Sequence, residues 1–231
     1  MSAYAHRPDD FAERYESLKT DEVNGDWLSL LPSTQLLVLD VGAGSGRDAA
    51  WFAKQNHEVV AVEPADALRQ RAQEIHPSPR IQSIDDQLPA LDAVHDLDYA
   101  FDVILLSAVW MHVPPSQRER AFRKLTELLK PGGHLVITLR SSPPEDGRTA
   151  YETSTAELRD LSRSFALEFL DTTRSSDQLG RDLGWTAAVF RLPDDGTGAL
   201  PLIRHILIND NTSATYKPAL LRSVLRVADS A

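Results

Sequence analysis

Residues 36–48 read Leu36-Leu37-Val38-Leu39-Asp40-Val41-Gly42-Ala43-Gly44-Ser45-Gly46-Arg47-Asp48. An apolar run closes on an acid and passes directly into three alternating glycines. The run predicts a buried strand, and the glycines leave no side chains where the chain must turn sharply. A ligand can then approach bare backbone. A helix beginning just after the turn would aim its free amides, with their partial positive charge, at the same place. The unit reads as a nucleotide cradle, with a tight turn that binds nothing as its alternative.

Two nucleotide patterns compete for these glycines. A dinucleotide fingerprint needs Gly-x-Gly-x-x-Gly, or Ala at the last position. Counted from Gly42, that position is Arg47, and the frame fails. Counted from Gly44, it is Ala49, and the looser frame fits. Asp40, Val41, Gly42 and Ala43 would then separate the strand from the first glycine, where a direct turn is wanted. The pattern Asp-x-Gly-x-Gly-x-Gly, from Asp40 to Gly46, fits every position. It resembles the first motif of class I S-adenosylmethionine (SAM)-dependent methyltransferases.

Residues 58–63, Glu-Val-Val-Ala-Val-Glu, predict a second buried strand with an acid at its carboxyl end, followed by Pro64. Doubly wound sheets hold ligands at the carboxyl ends of their strands, and an acid there takes ribose hydroxyls. Glu63 therefore suits an adenosine, whether of SAM or of NAD(P). A short third strand over residues 80–84 runs into Asp85-Asp86-Gln87-Leu88. Residues 101–108, Phe-Asp-Val-Ile-Leu-Leu-Ser-Ala, give a continuous apolar run, as a sheet buried on both faces requires. Trp110-Met111-His112 follow it, and after a long amphipathic helix comes Lys130-Pro131-Gly132-Gly133 with a fifth strand from His134 to Arg140.

Taken in this order, residues 36–140 resemble the class I SAM-dependent methyltransferases, most closely the small-molecule group called type 11 or 12. The resemblance implies a Rossmann-like, doubly wound sheet of seven strands, mostly parallel with one antiparallel strand. It implies SAM as cofactor and a small-molecule acceptor with an O, N or S nucleophile. The cofactor would lie against Gly42, Ala43, Gly44 and Gly46, with Asp40 orienting the loop or the amino acid end. Glu63 and Pro64 would hold the ribose. Asp85, Asp86, Gln87 and Leu88 would frame the adenine, and Ser107 and Ala108 would close the mouth. Tyr15 would pack by the methionine part, or serve only to dock its helix. Arg47 and Asp48 open the first helix, where Arg47 either reaches a carboxylate or pairs with its neighbour. The reaction would be an in-line displacement that needs a base only for a protonated acceptor. His112 is the candidate, since histidine titrates near neutrality, with a packing histidine as its alternative. Trp110 either stacks on substrate or fills core.

The balance of the chain narrows the field further. Net charge is −10, which disfavours a polyanion such as nucleic acid as partner. The Asn/Asp-Pro-Pro-aromatic signature of DNA amino-methyltransferases is replaced by Ser107-Ala-Val-Trp110. There is no cysteine, so disulfides, thiolate metal sites and a cysteine nucleophile are excluded. The histidines show no ligand spacing, and no metal is expected. The first ten residues lack an apolar signal core and no run is long enough to span a bilayer, so a cytoplasmic, membrane-free protein is expected.

The chain divides by pattern into residues 1–193, the methyltransferase-like domain, and an extension over 194–231. Residues 1–31 read as a helical cap, with Phe11, Tyr15 and Leu18 at helical spacing. Leu68, Ala72 and Ile75 share a face of the second helix; Phe122, Leu125 and Leu129 share one of the fourth. Residues 141–150 read as a loop at a strand's carboxyl end. Ser154 and Glu157 predict a capping box. Strands are expected over 167–173 and 185–192, joined by a polar connection from Arg174 to Arg181. The extension offers an apolar run, Leu200–Ile208, and a helix after Pro218. It reads as an extra layer, a homodimer interface, or the start of a further, fused domain. Two other functions stay open: a noncatalytic SAM-binding module of a larger protein, and an NAD(P)-dependent oxidoreductase.

Overall fold

The structure, a computed structural model, describes residues 16–17, 20–21, 27–142, 149–178 and 183–194. Its frame is a seven-stranded sheet. In chain order the strands are β1 (Leu37–Val41), β2 (Glu58–Val62), β3 (Ile81–Ile84), β4 (Phe101–Leu106), β5 (Leu129–Arg140), β6 (Glu168–Ser176) and β7 (Gly184–Arg191). Across the sheet they run β3-β2-β1-β4-β5-β7-β6. The first five run parallel to one another. Among the described residues only β7 is reversed, antiparallel to both β5 and β6.

Helices link the strands: α1 (Arg47–Lys54), α2 (Asp66–Ile75), α3 (Asp92–His95), α4 (Pro115–Glu127) and α5 (Thr155–Ser164), with a 3-10 turn at Trp110–His112. The central strands are buried on both faces, which is why they read as unbroken apolar runs. One face packs Val38, Val59, Ala61, Val103, Leu105 and Val136 against Ala49 and Phe52 of α1 and against Trp27. The other carries a cluster of aromatic rings. Phe122 of α4 lies 6.2 Å from Trp110, 5.8 Å from Phe165 and 6.0 Å from Phe190, measured between ring centres.

The expected seven-stranded Rossmann-like sheet with one reversed strand is thus the fold. Three local expectations need correction. The fifth strand starts at Leu129, not His134, because Leu129 pairs with Phe101 before the register shifts. Leu129 therefore belongs to the sheet rather than to the face of α4. Arg174, Ser175 and Ser176 extend β6 instead of forming a connection. The capping box is half made: Ser154 Oγ accepts from Glu157 N at 3.1 Å, but the Glu157 carboxylate goes to Arg118.

Of the expected cap, Glu16, Thr20–Asp21 and Trp27–Leu28 are helical; Phe11, Tyr15 and Leu18 lie outside the described residues. The chain divides into two units between Leu192 and Pro193. Apart from Pro193 and Asp194, the second lies outside the described residues, as do the apolar run and helix expected there. Among the described residues, no helix is long and apolar enough to cross a membrane.

Candidate functional site

Parallel neighbours present their carboxyl ends at the same edge of a sheet. With β3, β2, β1 and β4 side by side, the segments after them are gathered there: Asp85–Leu88, Glu63–Pro64, the glycine turn and Ser107–Ala108. The turn is fastened to its neighbour, since the amides of Gly42 and Ala43 both donate to Val62 O, at 2.7 and 2.9 Å. Gly42 and Gly46 have φ of +73° and +81°, in the left-handed region open to glycine. Their bare sides meet protein rather than open space. A methyl group at Gly42 would lie 2.5 Å from Val109 Cγ2, and one at Gly46 would lie 3.1 Å from Ala72 Cβ. All three glycines are expected at the ligand; at Gly42 and Gly46 the packing of Val109 and Ala72 is a further reason for glycine.

Glu63 is buried at the end of β2, and each of its oxygens accepts one amide. Gly44 N donates to Oε2 at 3.0 Å and Ala65 N to Oε1 at 2.9 Å. Burial raises its pKa above the usual carboxylate value, against the opposing pull of those two amides and of Arg69. Arg69 is a residue the sequence did not single out. It donates to Glu63 O at 2.7 Å and to Asp66 Oδ1 at 2.8 Å, and its Nη2 lies 3.3 Å from Asp85 Oδ2. Its one legible signal was its place on the first turns of a helix that follows the acid. A cavity of about 230 Å³ opens between Gly44, Gly46, Glu63, Arg69, Ala72 and His76, among other residues of α2, β2 and β3. Asp85–Leu88 and Ser107–Ala108 do not line it.

Asp40 is fully buried, and its Oδ2 has no partner among the described residues. Burial, first, and then the Asp48 carboxylate push its pKa well up, while Arg47 and a hydrogen bond from the Ala49 amide pull the other way. Arg47 does not reach outward. Its Nε and Nη2 donate to the two oxygens of Asp48 at 3.0 and 2.9 Å, and Thr20 Oγ1 donates to the same carboxylate at 2.9 Å. Ser45 Oγ donates to Glu16 Oε1 at 2.6 Å, so the segment before β1 is pinned to the turn.

Asp86 builds its own loop. Its Oδ1 accepts from Gln87 N at 2.7 Å and its Oδ2 from Val94 N at 3.1 Å, tying the segment to α3. Leu88 beside it is half-buried. Ala108 N donates to Thr138 Oγ1 at 2.8 Å, joining the ends of β4 and β5. Trp110 is wholly buried against Phe122, so it fills core. His112 Nδ1 stands 2.7 Å from Thr149 O. A carbonyl only accepts, so Nδ1 carries the hydrogen and the neutral ring bears its lone pair on Nε2. No group of His, Asp and Glu that could hold a metal occurs among the described residues. Tyr15 lies outside them.

Comparison with known proteins matches residues 38–133 to a family described as a methyltransferase domain. Residues 196–231 match a domain family of unknown function. The methyltransferase GfsG of Streptomyces halstedii is 33% identical over 105 residues, which are 43% of this chain and 36% of that protein. The chain thus spans well under half the length of this relative. Among solved structures, the 1,6-didemethyltoxoflavin-N1-methyltransferase of Burkholderia thailandensis, with S-adenosylhomocysteine (SAH) bound, has a TM-score of 0.57 and 22% identity. The match covers 84% of this chain and 92% of that one. The N-methyltransferase NodS of Bradyrhizobium japonicum, in complex with SAH, has a TM-score of 0.60 and 19% identity, covering 82% and 92%. At these identities the two structures share the fold.

Proposed function

We propose that this chain is a class I SAM-dependent methyltransferase and moves a methyl group from SAM to an O, N or S nucleophile of a small molecule. The observation that carries the reading is the convergence of the glycine turn and Glu63 on the edge where four parallel strands end. The residues there suit the cofactor. Each Glu63 oxygen keeps a second lone pair beyond its amide bond, which matches the two hydroxyls of a ribose. When bound, SAM supplies a methyl group on positively charged sulfur, so the leaving group is neutral.

The chain's own task is then placement and exclusion of water. Gly44 leaves room beside the turn, Glu63 and Pro64 hold the sugar, and Asp40 keeps the turn's shape. Ala43 lies in the wall of the cavity; Asp86 and Leu88, beyond that cavity, frame the base, with Asp85, Gln87, Ser107 and Ala108 beside them. His112 takes the acceptor's proton on Nε2 when the acceptor carries one. The proposal includes a cytoplasmic location, testable by fractionation of tagged protein. It also divides the chain at residue 193 into a catalytic domain and an extension. The extension meets a second copy of the chain or a further domain.

Titration calorimetry of the full chain with SAH and with NADH tests the cofactor. Binding of SAH alone is expected; binding of NADH without SAH would replace the reading with an oxidoreductase. Incubation with methyl-labelled SAM and a small-molecule extract tests catalysis. Label entering a small molecule is expected, and its absence beside intact SAH binding would favour a noncatalytic SAM-binding module.

A further inference from the structure

We propose that Arg118, acting through Glu157, is a positioning residue that fixes the orientation and tautomer of His112; this rests on the reading of His112 as the base. Arg118 sits in the first turn of α4 and is 4% exposed. Its Nε donates to Val113 O at 3.1 Å, immediately after the 3-10 turn that carries His112. Its Nη1 donates to both oxygens of Glu157, each at 2.7 Å. Glu157 lies in the first turn of α5, held there by its amide's bond to Ser154 Oγ.

The segment leading into Ser154 returns to the same turn. Tyr151 N donates to Met111 O at 2.8 Å, and His112 Nδ1 donates to Thr149 O at 2.7 Å. The bonds close a ring: 3-10 turn, Val113, Arg118, Glu157, Ser154, Tyr151, Thr149, and back to His112. Residues 149–151 reach His112 only where α5 lets them, and Arg118 holds α5.

Stability alone does not select this arrangement. A guanidinium buried this deeply is costly to desolvate, and its partner Glu157 is only half-buried, so the pair returns only part of that cost. Arg118 Nη2 is moreover buried with no partner among the described residues, a further cost. What the guanidinium adds over an apolar side chain is a rigid fork that grips two elements at fixed angles.

The test uses the full chain with nitrogen-15-labelled histidine, the His112 signals being assigned by their loss in His112→Gln. Wild type is expected to show the Nδ1-protonated tautomer. Arg118→Lys keeps a charge against Glu157 but has no second arm for Val113 O. Arg118→Met combined with Glu157→Met removes the pair and leaves no lone buried charge. In these variants the His112 tautomers are expected to mix and the Tyr151 amide to exchange at least about tenfold faster, as loss of a local closed state implies. SAH affinity, read by calorimetry, is expected to hold. A tautomer and a Tyr151 exchange rate unchanged in both folded variants would overturn the clamp. The reading of His112 as base fails separately, if His112→Gln transfers methyl groups at the wild-type rate.

Discussion

Asp40 is the acid announced by the motif, and its burial converts that position into a measurable pH dependence. Its carboxyl is held well above the ordinary range by burial and by Asp48. The folded chain therefore binds this proton more tightly than the unfolded chain. Its contribution to stability is complete below the unfolded value, about 3.9 for aspartate, and is lost as pH rises through the higher folded value. Glu63, also raised, acts with the same sign. Asp40→Asn is expected to flatten the decline in urea midpoint as pH rises above the unfolded aspartate value of about 3.9, where one such group sets a limiting slope of about 1.4 kcal/mol per pH unit. A wild-type midpoint that declines no more steeply than the variant's would contradict the assignment.

Gly42 makes a complementary case. A side chain there would be strained at φ +73° and would strike Val109 at 2.5 Å. Gly42→Ala is expected to cost about 1–3 kcal/mol in urea unfolding and to weaken SAH binding together with it. The spacing of the glycines made the turn legible from sequence. That Val109 and Ala72 fill two of the three bare sides was not legible, because both neighbours come from distant parts of the chain.

The elements that were read well share a cause. β1, β2 and β4 are covered on both faces, so burial writes itself into unbroken apolar runs. Where an element lies at an edge or bends, that signal fades. Among the described residues β6 has a partner strand on one side only, so Arg174, Ser175 and Ser176 can be polar and still pair with β7. The glycines of Lys130–Gly133 interrupt the apolar run, so the fifth strand reads as starting only at His134. Here they carry an irregular start of β5: Gly132 N donates to Leu192 O and Leu192 N to Gly133 O, both at 2.8 Å.

Gly133 has a reason of its own to be glycine. A methyl group on it would sit 2.8 Å from Lys130 O and 2.9 Å from Phe101 O, and backbone carbonyls in a sheet cannot step aside. Gly133→Ala is expected to destabilise the protein by about 2–3 kcal/mol. A thermal or urea midpoint equal to wild type would show that this edge yields. Glu157 illustrates the other limit of local reading. Its spacing from Ser154 promised a capping box, and the amide half of that box forms, but the carboxylate answers to Arg118 on another helix.

For the molecule as a whole, the order of motifs carried the fold, since an acid, a glycine turn and a second acid at strand ends make sense only in a doubly wound sheet. The acceptor is not written in the same way, because its contacts come from loops that vary independently of the scaffold. The division of the chain is where whole-molecule reasoning meets a decisive measurement. The last strand closes against Gly132 and Gly133 through Leu192, which is itself buried. The methyltransferase match ends at residue 133, and the second family match begins at 196. A chain ending after Asp194 is therefore expected to keep its fold and to bind SAH within about threefold of the full chain, a difference below about 0.7 kcal/mol. Loss of SAH binding by a folded, shortened chain would move part of the site into residues 195–231. Sedimentation of both forms then separates the two roles of the extension. A dimer that becomes a monomer on shortening assigns it to an interface between copies; a monomer in both forms leaves it as a domain with its own partner.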